Sequence, residues 1–135
     1  MTLLIDSSVF IALERRRVTL DALVHVAPDE PVALASITAS ELLAGVYRAD
    51  SLARRVQREA FVEAILERVP VLPFDLLVAR IHAQLWAELT TSGQLIGAHD
   101  LLIGATALAH GYSVLTDNLR DFRRVPGLNV RQPTW

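Results

Sequence analysis

Five carboxylates stand where chemistry could be done: Asp6, Glu41, Asp100, Asp117 and Asp121. Each lies where an apolar run that reads as a strand gives out or where a helical pattern begins. Asp6 ends the run Thr2-Leu3-Leu4-Ile5, and Asp117 follows Ser113-Val114-Leu115-Thr116. In open parallel sheets the ligand crevice lies beyond the carboxyl ends of the strands, so acids delivered there from distant parts of a chain converge. Convergent carboxylates repel one another unless a cation sits between them, and a hard divalent ion such as Mg²⁺ or Mn²⁺ is the usual partner. The pattern points to metal-assisted chemistry on phosphate esters.

Each acid also has a purely structural explanation. Asp6 precedes Ser7-Ser8 and could cap a helix, a contact worth ~0.5–2 kcal/mol. Thr38-Ala39-Ser40-Glu41 reads as a capping box, with the glutamate reaching back to the first amide. Asp100 falls in the first turn of a helix, where the macrodipole favours an acid by ~0.3–1 kcal/mol. The rest of that helix is almost wholly apolar, however, so an acid at its mouth faces a cleft. Asp117 could open a turn, and Asp121 could pair with Arg120, Arg123 or Arg124. One such placement is ordinary; the whole set along one edge of a parallel sheet is not.

Other chemistries are excluded by what is missing. There is no cysteine, which removes disulfides, thiolate metal sites and thiol nucleophiles and is compatible with a reducing cytoplasm, the expected location. All thirteen basic residues are arginine, so no lysine base or Schiff base is possible. His25, His82 and His110 lack the spacing of a zinc site; His99, beside Asp100, is the only histidine near the expected cleft. Phosphatases of the haloacid-dehalogenase type need a second aspartate two residues after the first, and that position is Ser8. No glycine-rich phosphate loop appears. What remains is acid-only metal chemistry on a polyanion. With a net charge of −2, binding a polyanion would fall to local arginines. Arg15, Arg16, Arg17, Arg48, Arg120, Arg123 and Arg124 are the candidates.

The elements that must position these residues alternate along the chain. Strands are expected at Leu3 to Ile5, Val32 to Ala35, Val71-Leu72, Tyr112 to Leu115 and, as a final extended stretch, Leu128 to Arg131. Helices are expected at about Ser8 to Arg16, Leu20 to Val26, Thr38 to Ala49, Ser51 to Glu67, Asp75 to Thr91 and Ala98 to His110, with a helical turn near Asn118 to Arg123. In the Ser51 helix, Leu52, Val56, Phe61, Ile65 and Leu66 read as the apolar side. Such βαβα alternation implies an α/β fold with a parallel sheet covered by helices on both faces. Residues 1–135 read as one domain, without repeat, linker or signal peptide. The most apolar stretch, Leu101 to Thr116, is shorter than the ~18 residues a membrane span needs. A hydrophobic content of 52% exceeds what so small a core absorbs, and the surplus along Leu42, Leu43, Val46, Val56, Phe61 and Ile65 is a candidate interface.

With those residues in place the chain resembles the PIN-domain ribonucleases and, among them, the VapC-type toxins of toxin–antitoxin pairs. Leu4-Ile5-Asp6-Ser7-Ser8-Val9-Phe10 looks like the family's opening strand, and Ser36-Ile37-Thr38-Ala39-Ser40-Glu41-Leu42 looks like its glutamate segment. His99-Asp100-Leu101-Leu102-Ile103-Gly104-Ala105 resembles its third acid block. Thr116-Asp117-Asn118-Leu119-Arg120-Asp121-Phe122 resembles its closing Thr-x-Asn-x-x-Asp-Phe block, with Pro126-Gly127-Leu128 after it. In that pattern Asp121 fills the usual slot of the fourth acid, while strand geometry favours Asp117.

The resemblance implies a PIN-like three-layer sandwich with a mainly parallel, twisted sheet of about four or five strands. It implies an endoribonuclease, dependent on Mg²⁺ or Mn²⁺, that cuts single-stranded or loop RNA. Asp6 and Asp100 would hold the metal, Glu41 and the fourth acid would complete the catalytic set, and Ser8 and Thr116 would support the carboxylates from behind. It implies a homodimer and a cognate antitoxin that covers the cleft. The competing reading is a PIN-like scaffold that binds RNA or protein without cutting; an intact acid set argues against it.

Overall fold

The computed structural model describes residues 2–16, 21 and 30–134. The helix expected at about Leu20 to Val26, apart from Asp21, and Arg17 lie outside them. Five strands form the sheet: β1 (Leu3–Ile5), β2 (Val32–Ala35), β3 (Val71–Leu72), β4 (Ser113–Leu115) and β5 (Val130–Arg131). Their order is β3-β2-β1-β4-β5, and every pairing is parallel. The helices are α1 (Ser7–Arg15), α2 (Ser36–Tyr47), α3 (Leu52–Arg68), α4 (Leu76–Ser92), α5 (Ala98–His110) and α6 (Leu119–Phe122).

Strand alternation builds the layers. Leu3 and Ile5 of β1 face Val9, Phe10 and Leu13 of α1, together with Leu42 of α2 and Ile65 of α3. Leu4 points the other way, with Ala33, Ala35 and Val114, onto Ile103 and Ala107 of α5 and Phe122 of α6. All three β1 side chains are fully buried, and each such side chain contributes about 1.5–3 kcal/mol. Helix α4 packs outside this layer, setting Val78, Leu85 and Leu89 against Leu101 and Ala105 of α5. Among the described residues no helix is long and apolar enough to cross a membrane.

The chain runs from β1 to β2 and β3 on one side, then crosses to β4 and β5 on the other. Strand order therefore reverses between β1 and β4, and a crevice opens beyond their carboxyl ends. Asp6 and Thr116 are the first residues past those two strands. The Asp6 amide donates to the Leu115 carbonyl at 2.9 Å, which pins the two strand ends together.

Several boundaries match their local chemistry. Ser51 caps α3 by accepting from the Arg54 amide at 3.1 Å. Asp75 caps α4 by accepting from the Val78 amide at 3.0 Å, and Gly93 ends that helix at φ 70°. Three expectations need correction. Helix α2 begins at Ser36 rather than Thr38, because β2 runs straight into it and Ala35 takes the cap position. Thr38 is then inside the helix and fully buried, and Glu41 lies beyond reach of the first amide, so no capping box forms.

The inward side of α3 carries Val62 and Ile65, not Leu52 and Val56, which are 79% and 59% exposed. Val56 is six residues from Val62, about 600° of rotation at 3.6 residues per turn, which puts it on the far side. Finally, Leu42, Val46 and Ile65 are core residues, and Leu43 and Phe61 pack against them. Large apolar side chains that are exposed include Val56 from the expected interface and, elsewhere, Phe74, Leu76, Leu77, Trp86 and Leu95.

Candidate active site at the switch point

Asp6 is buried, and its carboxylate is held by hydroxyls rather than cations. Ser8 Oγ and Thr116 Oγ1 both donate to Oδ2, each at 2.8 Å. The direction of these bonds is set by the backbone. The Asp117 amide donates to Ser8 Oγ at 3.1 Å, and the Asn118 amide donates to Thr116 Oγ1 at 2.9 Å. One lone pair of each hydroxyl is engaged in this way, and its single proton is directed to the Asp6 carboxylate, which can only accept. Although Asp6 occupies the cap position of α1, its side chain makes no capping bond. The helix-cap explanation of this residue is thereby excluded.

Asp100 projects from the first turn of α5. Its Oδ2 accepts from Asn118 Nδ2 at 3.0 Å. Burial pushes its pKa up to about 6, and the charges of Asp6, Asp121 and Glu41, with a hydrogen bond to Asp121, add to the rise. Glu41, in the second turn of α2, is raised as well, chiefly by burial and also by Asp6; His99 and, least, Ser7 pull it down. Its Oε2 lies 3.4 Å from His99 Nδ1, while Oε1 is buried without a hydrogen-bond partner. Four acids from four separate elements thus feel one another, and no arginine stands among the causes of these shifts.

Asp117 and Asp121 separate here. Asp121 is partly buried and acts on Asp100, whereas Asp117 is exposed and is absent from the charges that raise Asp100. Two contacts escaped the sequence reading: Asn118 on Asp100, and His99 on Glu41. The signal for the first was present, since Asn118 is the middle residue of the Thr-x-Asn-x-x-Asp block.

The arginines fall into two groups. Arg15 and Arg48, both exposed, line a groove of about 250 Å³ that also takes in Glu41, Glu14, Arg58 and Ile11. Arg58 is tied within it, donating to Glu14 Oε1 at 2.9 Å and to the Gly45 carbonyl at 3.0 Å. Arg16 is exposed at the end of α1. Beyond β4, Arg120 and Arg123 are exposed, whereas Arg124 donates to the Leu95 carbonyl at 3.1 Å.

A divalent ion fits the donor set in part. The acids offer hard oxygens, at least one of them buried and unpartnered. Among the described residues, no group of three or more acid or histidine side chains is placed to hold a metal ion together, so any ion would rest on one or two of these carboxylates. Such an arrangement suits Mg²⁺ better than a caged metal, because Mg²⁺ commonly takes one or two carboxylates and fills its remaining positions with water and substrate phosphate.

Comparison with known proteins bears on the chain as a whole. The sequence matches the family model described as PIN domain over residues 3–128. It is 38% identical to Ribonuclease VapC1 of Rickettsia felis over 130 residues, covering 96% of this chain and 95% of that one. It is 35% identical over 97 residues to the tRNA(fMet)-specific endonuclease VapC of Salmonella typhimurium, covering 72% and 71% of the two chains. Its fold is similar to that in the crystal structure of DNA-bound VapBC from Salmonella typhimurium, with a TM-score of 0.85, 28% identity and 98% of each chain covered.

Proposed function

This chain belongs to the PIN-domain family, among the VapC ribonucleases, and we propose that its acid cluster hydrolyses RNA with the help of a divalent metal ion. The protein is an endoribonuclease of the toxin type. In our reading Asp6, Glu41, Asp100 and Asp121 are the catalytic set, residues 1–135 act as one nuclease domain, and the substrate is single-stranded or loop RNA. The observation that carries this reading is that four carboxylates act on one another at the switch point with no arginine among the causes of their shifts, which leaves Asp100 at about 6.

Asp6 and Asp100 would hold Mg²⁺ or Mn²⁺, since both project into the crevice from rigid element ends. When bound, the ion supplies water activation and neutralises charge on the phosphodiester. Ser8 and Thr116 fix the Asp6 carboxylate through Oδ2, leaving Oδ1 for the cation. Asn118 does the same for Asp100 through a single donor. Glu41 and Asp121 add negative charge that raises affinity for the ion and orient water beside it. Arg15 and Arg48 in the groove, with Arg16, Arg120 and Arg123, would meet the phosphates on either side of the scissile bond.

Two partners follow. A cognate antitoxin would cover the cleft, and an arginine from it would neutralise the acids as the metal does. A second copy of the chain would cover exposed apolar side chains such as Phe74, Trp86 and Leu95.

The test is cleavage of a structured RNA pool with Mg²⁺, with Mn²⁺ and with chelator, beside Asp6→Asn. We expect cutting that needs metal and is lost in the variant. Equal cutting by both proteins would overturn the assignment of the site.

A further inference from the structure

We propose that His99 is a positioning residue for the reaction, holding Glu41 so that its buried carboxylate oxygen stays directed into the acid cluster. The inference rests on the metal-assisted reading above. Glu41 reaches the cluster on a long side chain from α2, and among the described residues only His99 forms an ion-pair contact with it, 3.4 Å from Nδ1 to Oε2. The other oxygen, Oε1, is buried without a hydrogen-bond partner, so the contact of the outer oxygen with His99, beside the smaller pull of Ser7, orients the inner one. His99 belongs to a different element, α5, one residue before Asp100. The same helix end therefore sets two of the acids: Asp100 directly, and Glu41 through the imidazole.

Structural explanations for His99 are weak. Its side chain is 57% exposed, so it contributes little burial. A histidine in the first turn of a helix gains nothing from the macrodipole, which favours basic groups at the other end. A partner that orients a metal-facing carboxylate is, by contrast, worth about 10–100-fold in metal affinity. The groove beside Glu41 carries its own arginines, so binding of the RNA backbone does not need this imidazole.

The test is a double-mutant cycle read by calorimetric titration of the RNA-free protein with Mn²⁺, alongside RNA cleavage. The variants are His99→Ala, His99→Asn, Glu41→Gln and the His99→Ala, Glu41→Gln pair. Asparagine carries its amide nitrogen where histidine carries Nδ1, so it retains the donor. We expect His99→Ala to weaken Mn²⁺ binding by about tenfold and to lower kcat more than it raises KM. Its metal-free melting temperature should be unchanged. His99→Asn should recover most of the loss, and in the Glu41→Gln background His99→Ala should have no further effect.

The same loss in both backgrounds, or a change confined to KM, would overturn the proposal in favour of a direct RNA contact. Wild-type protein that binds Mn²⁺ no better than His99→Ala would overturn it outright. Wild-type protein that takes up no Mn²⁺ would overturn the metal reading itself, and this proposal with it.

Discussion

Glu30 and Asp100 are both carboxylates beside the sheet, and they are held in opposite ways. Glu30 accepts from Arg131 Nη1 at 2.8 and 2.6 Å on its two oxygens, and this contact pulls its pKa down. Asp100 meets an asparagine amide and three other acids, and its pKa climbs to about 6. Two further carboxylates follow the first pattern: Glu14 has Arg58, and Asp50 has Arg54. A chain with thirteen arginines supplies internal counter-charges readily, yet no arginine is among the causes that act on Asp100 and Glu41. The difference teaches where negative charge is left unbalanced, and on the reading proposed above that is where a cation would bind.

The comparison breaks most sharply if the acid cluster can lose a charge without consequence. Asp6→Asn removes the buried carboxylate on which both hydroxyls converge. Even an outer partner of a metal ligand costs about 10–100-fold, so this substitution should lower the cleavage rate by more than ~100-fold. Single-turnover RNA cleavage under saturating Mg²⁺ measures it. Thr116→Val comes next. It keeps the shape of a fully buried side chain but removes the donor to Asp6 Oδ2, and Mn²⁺ affinity should fall by ~10-fold or more. An unchanged affinity would mean that the Asp6 orientation does not depend on that hydroxyl.

The fourth acid separates two neighbours of the same type. Asp121→Asn should lower cleavage by about tenfold, as loss of a charge that faces Asp100. Asp117→Asn, at an exposed position, should stay within about twofold, the range of ordinary surface changes. Parallel kcat and KM measurements on the pair decide it. The reverse ranking would move the fourth acid to the strand end.

How far these residues were legible depends on what kind of constraint held them. Asp6 and Thr116 could be placed from sequence because a buried strand has a definite end, and whatever follows it must emerge at the sheet edge. Asp100 was legible because an apolar helix has only its mouth in reach of polar ligands. The capping box at Glu41 misled for the converse reason. Residue types at the right spacing do not reveal that β2 passes into α2 without a loop, which shifts the cap to Ala35 and buries Thr38. The apolar side of α3 misled similarly, since Leu52 and Val56 satisfy a hydrophobic count but not the rotation set by Val62 and Ile65. The His99–Glu41 and Asn118–Asp100 contacts join elements distant in the chain, and such pairings become visible only once the sheet order brings the elements together.

Stability against pH offers a subtler handle on the same contrast. Asp100 titrates at about 6 when folded, against an ordinary value of 3.8. In the folded state its ionised form is therefore the disfavoured one. Above about pH 6 this group opposes folding; as pH falls from 6 towards 3.8 the folded form takes up its proton first, and the opposition disappears. Metal-free Asp100→Asn should accordingly melt a few degrees above wild type at pH 7–8, about 1 kcal/mol after screening at this half-exposed group. That gain should vanish below about pH 4, and Mg²⁺ should narrow it at pH 7. Thermal melts across pH, with and without Mg²⁺, test all three. A destabilised Asp100→Asn at pH 7 would instead make Asp100 a structural cap.

The paired acids should yield the smallest effect. Arg54 and Asp50 meet at 2.9 Å across the start of α3, with side chains 68% and 70% exposed. Pairs of that kind contribute at most about 0.5 kcal/mol and are screened by salt. Arg54→Ala should therefore change stability by less than about 0.5 kcal/mol in urea melts and leave cleavage untouched. Removing a charge from this pair loses a small attraction, whereas removing one from the cluster relieves a repulsion. The two substitutions should thus shift metal-free stability in opposite directions, with the pair's loss fading as ionic strength rises. If Arg54→Ala and Asp100→Asn moved stability the same way, the two classes of carboxylate would not differ in the way that sets the switch point apart.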